Sequence, residues 1–254
     1  MRPQLGIKID HIASLRQMRT EEYPSLVEAS TAILSSDADM LSMHLREDRM
    51  HIQDFDVETI KLVVKRYGKQ LHLEIGVSAE MIDVAQAVQP EWLTFVAEKK
   101  SEKSEEGGID LLDDVKFQHL KEAMIKLREE AREVKISLLI EAKVEQLLRA
   151  IELKPDAIEI HVAEFSKRFH NGDDCEKYIA AFKIAHDLVK KESITLFASR
   201  GLSRESVKEL KSLHLFDAFF VGHAVVSEAL FCGLSETIKQ YVKMLDEEQI
   251  VASE

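Results

Sequence analysis

The fold class this sequence predicts is α/β: a single-domain (β/α)8 TIM barrel spanning residues 1–254. Three observations predict it. Segments with the two-residue period of strands alternate strictly with segments at helical spacing. Eight such strand–helix units follow one another with no linker, repeat or low-complexity tract. Polar side chains capable of chemistry gather at the C-terminal ends of the strands, where barrels of this kind carry their sites. Strict alternation implies a parallel sheet, and eight units in about 250 residues is the size of a closed barrel. A doubly wound open sheet is the alternative, but no Gly-x-Gly-x-x-Gly follows the first strand.

The elements run in order. A first strand over 4–10 sets Leu5, Ile7 and Ile9 on one face and Gly6, Lys8 and Asp10 on the other. His11 and Arg19 fall in a connecting segment, and Pro24 opens a helix that runs to residue 34. The second strand, 40–46, alternates Met43 and Leu45 with Ser42, His44 and Arg46, and charged and imidazole groups then crowd residues 44–51. A helix over 57–67 carries Ile60, Val63 and Val64 at helical spacing and stops at Gly68. The third strand, 71–77, opposes Leu71, Leu73 and Ile75 to His72, Glu74 and Gly76, and Ser78 caps a helix to 88.

The fourth strand covers 92–98. The segment 99–110 that follows is charged and ends in Gly107-Gly108, and it reads equally as a solvated loop or as a mobile lid. Next come a helix over 115–133, a strand over 134–141 and a helix over 144–153. The sixth strand, 157–163, carries Glu159 and His161 on one face, and a helix covers 175–190. The seventh strand, 194–200, ends at Gly201, and Ser203 opens a helix to 213. The eighth strand is 216–222, and a last helix reaches 247.

Composition narrows the function. A hydrophobic content of 45% supplies one sizeable core, and a formal net charge of −12 argues against nucleic-acid partners, which need a basic surface. A small anionic substrate remains open, because a few arginines and helix N-termini bind phosphate on an acidic protein. Cys175 and Cys232 lack zinc or redox spacing and read as unpaired thiols of a reducing cytoplasm. No apolar run reaches membrane-spanning length, so a soluble cytoplasmic protein with no membrane partner is expected.

Lys8 and Asp10, His44 and Arg46, Glu74, Glu159 and His161, and Arg200 all fall at strand C-termini. Unpaired carboxylates and imidazoles between aliphatic neighbours are expensive to bury, so the set reads as an acid–base site with cationic phosphate anchors. Each alone reads also as a barrel-core ion pair with Lys8 or Arg46.

The stretches GIKIDHIASLRQMR, HLREDRMHI, LEIGV, EKKSEKSEEGGID, IEIH and VGHAVV, in this order, carry a resemblance that spans nearly the whole chain. The sequence resembles the pyridoxine 5′-phosphate synthase family, which closes the pyridine ring in vitamin B6 biosynthesis. That resemblance implies a TIM barrel assembled as a homo-oligomer. It also implies condensation of 1-deoxy-D-xylulose 5-phosphate with 3-amino-2-oxopropyl phosphate, releasing phosphate and water, with no metal or organic cofactor. By the same resemblance, His44 and Glu74 match proton acceptors and Glu159 a transition-state-stabilising carboxylate. Asp10, His11, Arg46, His51 and Ser104 match positions that hold deoxyxylulose phosphate. Arg19, Gly201, Gly222 and His223 match those that hold the aminoketone and phosphate. The chemistry agrees, since imine formation, dehydration and ring closure need an imidazole and a carboxyl of raised pKa.

The chain departs from the family pattern at Lys8, where an asparagine is usual, and at Arg200, where a histidine proton donor is usual. Ser227-Glu228-Ala229 and Val162-Ala163 also replace familiar residues. Two cations in one mouth are expected to repel a protonated aminoketone and favour phosphate. The sequence therefore supports two readings: a divergent synthase, or a family member that binds a phosphosugar or acts on another carbonyl compound.

Overall fold

Period-two alternation sorts the strands into two faces, and a computed structural model shows where each face goes. It describes residues 2–19, 21–97 and 107–247. The strands are β1 (Gln4–Lys8), β2 (Met40–Leu45), β3 (Gln70–Ile75), β4 (Trp92–Phe95), β5 (Lys135–Ile140), β6 (Ala157–His161), β7 (Thr195–Ser199) and β8 (Ala218–Val221). They pair in chain order into a closed barrel, with β1 parallel to β8 across the seam. Closure leaves no sheet edge and rules out the open-sheet alternative.

Outward-facing Leu5, Ile7, Leu41, Met43, Leu71 and Leu73 join the helices in the main apolar core. Inside the barrel, Met40, Trp92, Ala157, Phe197, Ala218 and Phe220 form a separate apolar plug. Gly6 belongs to that plug by what it lacks: a Cβ there would lie 2.3 Å from the Phe220 ring. Above the plug, the inward residues turn polar. Ser42, His72, Thr94, Ser137, Glu159 and Ser199 are all fully buried. The site is built on this floor.

The helices are α1 (Asp10–Gln17), α2 (Leu26–Leu34), α3 (Asp54–Arg66), α4 (Ala79–Val88), α5 (Asp114–Glu130), α6 (Val144–Glu152), α7 (Ala163–Asn171), α8 (Glu176–Lys191), α9 (Arg204–Ser212), α10 (His223–Cys232) and α11 (Leu234–Asp246). The expected caps are in place, with Ser78 accepting from the Met81 N–H and Ser203 from the Ser206 N–H. Four features differ from the sequence reading. β1 stops at Lys8, and Asp10 opens α1 instead of ending the strand. α7 starts directly at the end of β6, and the last helix is two, broken at Gly233, whose φ is +81°. α3 starts at Asp54, three residues before the expected start. The Gln53 N–H donates to Asp56 at 2.8 Å, a cap that the exposed Phe55 hides from a hydrophobic periodicity.

Candidate active site

The C-terminal ends of β1, β2, β7 and β8 enclose a cavity of about 550 Å³. It is lined by Lys8, Asp10, His11, His44, His51 and Arg200, with Gly201, Gly222 and His223 on its far wall. Nine positions singled out in the sequence therefore meet in one space. Glu74 lies under it, fully buried, as the anion on which Lys8 and Arg200 converge.

That convergence is the densest charge arrangement of the site. Arg200 binds Glu74 in a fork, Nη1 to Oε1 at 3.2 Å and Nη2 to Oε2 at 2.8 Å. Lys8 Nζ donates to Oε1 as well. Burial alone pushes the Glu74 carboxyl up, but Arg200, Lys8, His44 and His72 outweigh it and hold the group well below the usual carboxylate range. The expectation of a carboxyl of raised pKa is thus corrected at Glu74: two cations within reach of one carboxylate keep it ionised. The same contacts correct the picture of two uncompensated cations, because Glu74 neutralises one of the two charges. The Lys8 ion pair raised by the sequence is present, and Arg46 pairs with Asp48 at 2.8 Å.

Asp10 organises the β1–β2 side. Its Oδ1 accepts the His44 backbone N–H at 2.7 Å and lies 4.0 Å from His51 Nδ1. His51 Nδ1 itself accepts from the Ile52 N–H at 2.8 Å. The His51 carbonyl is gripped by Arg16, which forks onto buried Asp56 at 2.7 and 2.6 Å. Across the cavity, His11 stands edge-on to His223, with ring centroids 5.3 Å apart. Partial burial lowers the His11 pKa, and the nearby His223, Lys8 and His51 add to this against the opposing pull of Asp10.

Glu159 does not line the cavity. It occupies the polar floor, where Ser199 donates to Oε1 and Thr94 Oγ1 lies 3.4 Å from Oε2. His72 completes the cluster, with Nε2 at 2.6 Å from Thr94 Oγ1 and 3.3 Å from Glu159 Oε2, and Nδ1 at 2.8 Å from Ser42 Oγ. Burial raises the Glu159 pKa, but the His72 hydrogen bond and charge, helped by Lys8, bring it below the ordinary value despite Glu74. His72 is the residue the sequence reading left without a role. Its signal was its place two residues before Glu74 on the same face.

Arg46 sits in a second cavity of about 860 Å³ with Gly76, Gly108 and Lys116. Arg19 lies exposed just past α1. Ser104 and residues 99–106 of the segment read as a lid lie outside the described residues.

A closed parallel barrel with its ionisable groups gathered at the C-terminal mouth defines the class: a (β/α)8 enzyme scaffold. Solved structures agree at the level of fold. Thiamine phosphate pyrophosphorylase from Pyrococcus furiosus superposes with a TM-score of 0.60 at 13% identity, covering 96% of this chain and 95% of that one. 3-Keto-L-gulonate-6-phosphate decarboxylase from Vibrio cholerae gives a TM-score of 0.61 at 12% identity, covering 97% and 98%. Sequence comparison is more specific. Residues 5–247 match the family model described as pyridoxal phosphate biosynthesis protein PdxJ. The pyridoxine 5′-phosphate synthase of Sulfurihydrogenibium sp. is 31% identical over 95% of this chain and 97% of its own length. That of Aquifex aeolicus is 32% identical over 95% and 99%. The chain belongs to the PdxJ family of vitamin B6 biosynthesis.

Proposed function

We propose that this chain is a pyridoxine 5′-phosphate synthase, condensing 1-deoxy-D-xylulose 5-phosphate with 3-amino-2-oxopropyl phosphate and releasing inorganic phosphate and water. The observation that carries this reading is the meeting of Asp10, His11, His44, His51, Gly201, Gly222 and His223 in one cavity. The synthase names of relatives that align over nearly the full chain support it.

The far wall suits a phosphate. The ends of β7 and β8 and the first turn of α10 line it, the place where barrels of this type hold phosphoryl groups on backbone N–H donors. Gly201 and Gly222 let the ligand approach the main chain. A Cβ on Gly201, at φ +66°, would lie 2.9 Å from Ala163 Cα. Arg46 and Ser104 are proposed to hold deoxyxylulose phosphate with Asp10, His11 and His51, and Arg19 to hold the aminoketone and phosphate.

His44 is proposed as the proton acceptor of the dehydration steps, with its backbone fixed by Asp10. Glu74 is proposed to act as a fixed anion that orients Lys8 and Arg200 and stabilises positive charge developing on nitrogen. Glu159 is proposed to support the same charge from the layer beneath. No metal or organic cofactor is proposed, and the segment 99–110 is proposed as a lid that shields reactive imines from water. The proposed setting is a cytoplasmic homo-oligomer; among the described residues, no helix is long and apolar enough to cross a membrane.

Incubation of the purified chain with both substrates tests the reading. Pyridoxine 5′-phosphate, identified by its fluorescence and mass, is the expected product. Its absence while each substrate binds would assign the protein to another carbonyl reaction.

A further inference from the structure

We propose that Lys8 is a covalent catalyst: its Nζ captures the ketone carbon of the phosphosugar as an imine, which the amine of the second substrate then displaces. The proposal rests on the synthase reading and assigns it a nucleophile.

Several features of the mouth lead to this role. Lys8 is the one lysine among the described residues that line the cavity. Its side chain is 8% exposed, and its Nζ lies on Glu74 beside Arg200. Lysine ε-amines lining closed sites form imines with carbonyl substrates. Charge balance at Glu74 does not require Lys8, because the Arg200 fork already engages both carboxylate oxygens.

A proton acceptor stands nearby. Gly222 packs against both the Lys8 stem and the His11 ring: a Cβ built on it would be 3.0 Å from Lys8 Cβ and 3.3 Å from His11 Nδ1. Both residues line the cavity. Partial burial and neighbouring His223 and Lys8, opposed by Asp10, lower the His11 pKa, so the ring is neutral at pH 7 and able to accept a proton.

The step balances. Lys8 gives one proton to His11, its free electron pair forms an N–C bond as the carbonyl π bond breaks, and the nitrogen passes a second proton to the alkoxide oxygen, leaving a neutral carbinolamine. His11 returns the proton to the carbinolamine hydroxyl, the C–O bond breaks, water leaves, and a protonated imine remains. One positive charge enters as ammonium, rests on His11 at the carbinolamine stage and returns as iminium, while the Arg200 fork stays on Glu74. Attack by the aminoketone nitrogen then forms the substrate–substrate imine and releases Lys8 as an amine, with no oxidant or reductant required.

The test is reductive trapping. The full chain is incubated with 1-deoxy-D-xylulose 5-phosphate and sodium cyanoborohydride, and the product is mapped by peptide mass spectrometry. One reduced adduct on the Lys8 peptide is expected. It should be lost in Lys8→Arg, which keeps the cation but forms no imine, and suppressed when the aminoketone is present. Absence of the Lys8 adduct, or adducts spread over surface lysines alone, overturns the proposal. If product still forms in that case, the synthase reading stands without it. An adduct on Lys8 with no pyridoxine 5′-phosphate formed supports the nucleophile and overturns the choice of second substrate.

Discussion

Replacing Glu74 by glutamine separates an electrostatic anchor from an ordinary catalytic carboxyl. Glu74 is 0% exposed, and its partners Lys8 and Arg200 are 8% and 15% exposed at the side chain, so water screens this triad weakly. Glu74→Gln keeps the shape and removes the charge, leaving two cations facing an amide. Breaking a buried ion pair from one side costs about 3–5 kcal/mol. In a chain of this length each kcal/mol lowers the thermal midpoint by about 2–4 °C, so a fall of roughly 6–20 °C is expected by calorimetry. Combining Glu74→Gln with Lys8→Met removes one of the stranded cations, and the two changes should be coupled by about 0.5–3 kcal/mol. The pH dependence has a definite sign. Arg200, Lys8, His44 and His72 outweigh burial and hold the folded pKa below the unfolded value. The stabilisation is therefore full above the ordinary carboxyl value of about 4.3 and is lost as pH falls through the depressed folded value. Glu74→Gln should flatten that acid limb. A variant that melts within a degree or two of the parent, with no coupling to Lys8→Met, would refute the anchor.

Other perturbations report on separate parts of the site. His44→Ala should lower turnover by at least about a hundredfold, the usual lower contribution of a general base, while the thermal midpoint stays near that of the parent; unchanged turnover would remove His44 from the mechanism. Arg16→Met leaves Asp56 buried without its guanidinium and releases the His51 carbonyl. It should cost about 3–5 kcal/mol in urea unfolding, and a change below 1 kcal/mol would deny the clamp. Gly201→Ala places a Cβ against Ala163 at a φ of +66° and should destabilise by about 1–3 kcal/mol, read by the same unfolding curves. His72→Phe deprives Glu159 of a donor and should cost about 1–3 kcal/mol, partly recovered when Glu159→Gln is added; strict additivity would show that the two do not interact.

Much of the barrel was legible because its strands announce themselves by period. Lys8, His44, Glu74 and Glu159 each stand opposite aliphatic neighbours, and alternation alone sends them inward. Depth was not legible. Glu74 and Glu159 look alike in sequence, yet one lies under the cavity and the other a layer lower, because the stagger of a closed sheet sets height and leaves no local trace. The Arg200–Glu74 fork joins residues 126 apart in sequence, beyond any periodic signal. His72 was visible on the right face but had no partner to give it a role until Thr94 and Glu159 were placed around it. α1 and α7 escaped notice because they start at or just past strand ends, and a strand-like reading absorbed their first residues.

The mouth of this barrel is proposed to build a pyridine ring from two phosphorylated precursors. The most direct test is a turnover measurement with both substrates that follows pyridoxine 5′-phosphate by fluorescence and released inorganic phosphate in parallel, for the parent chain and for His44→Ala. One phosphate is expected for each pyridoxine 5′-phosphate in the parent, with near-complete loss of both signals in the variant. Phosphate release without the fluorescent product, or equal rates in the two proteins, would contradict it.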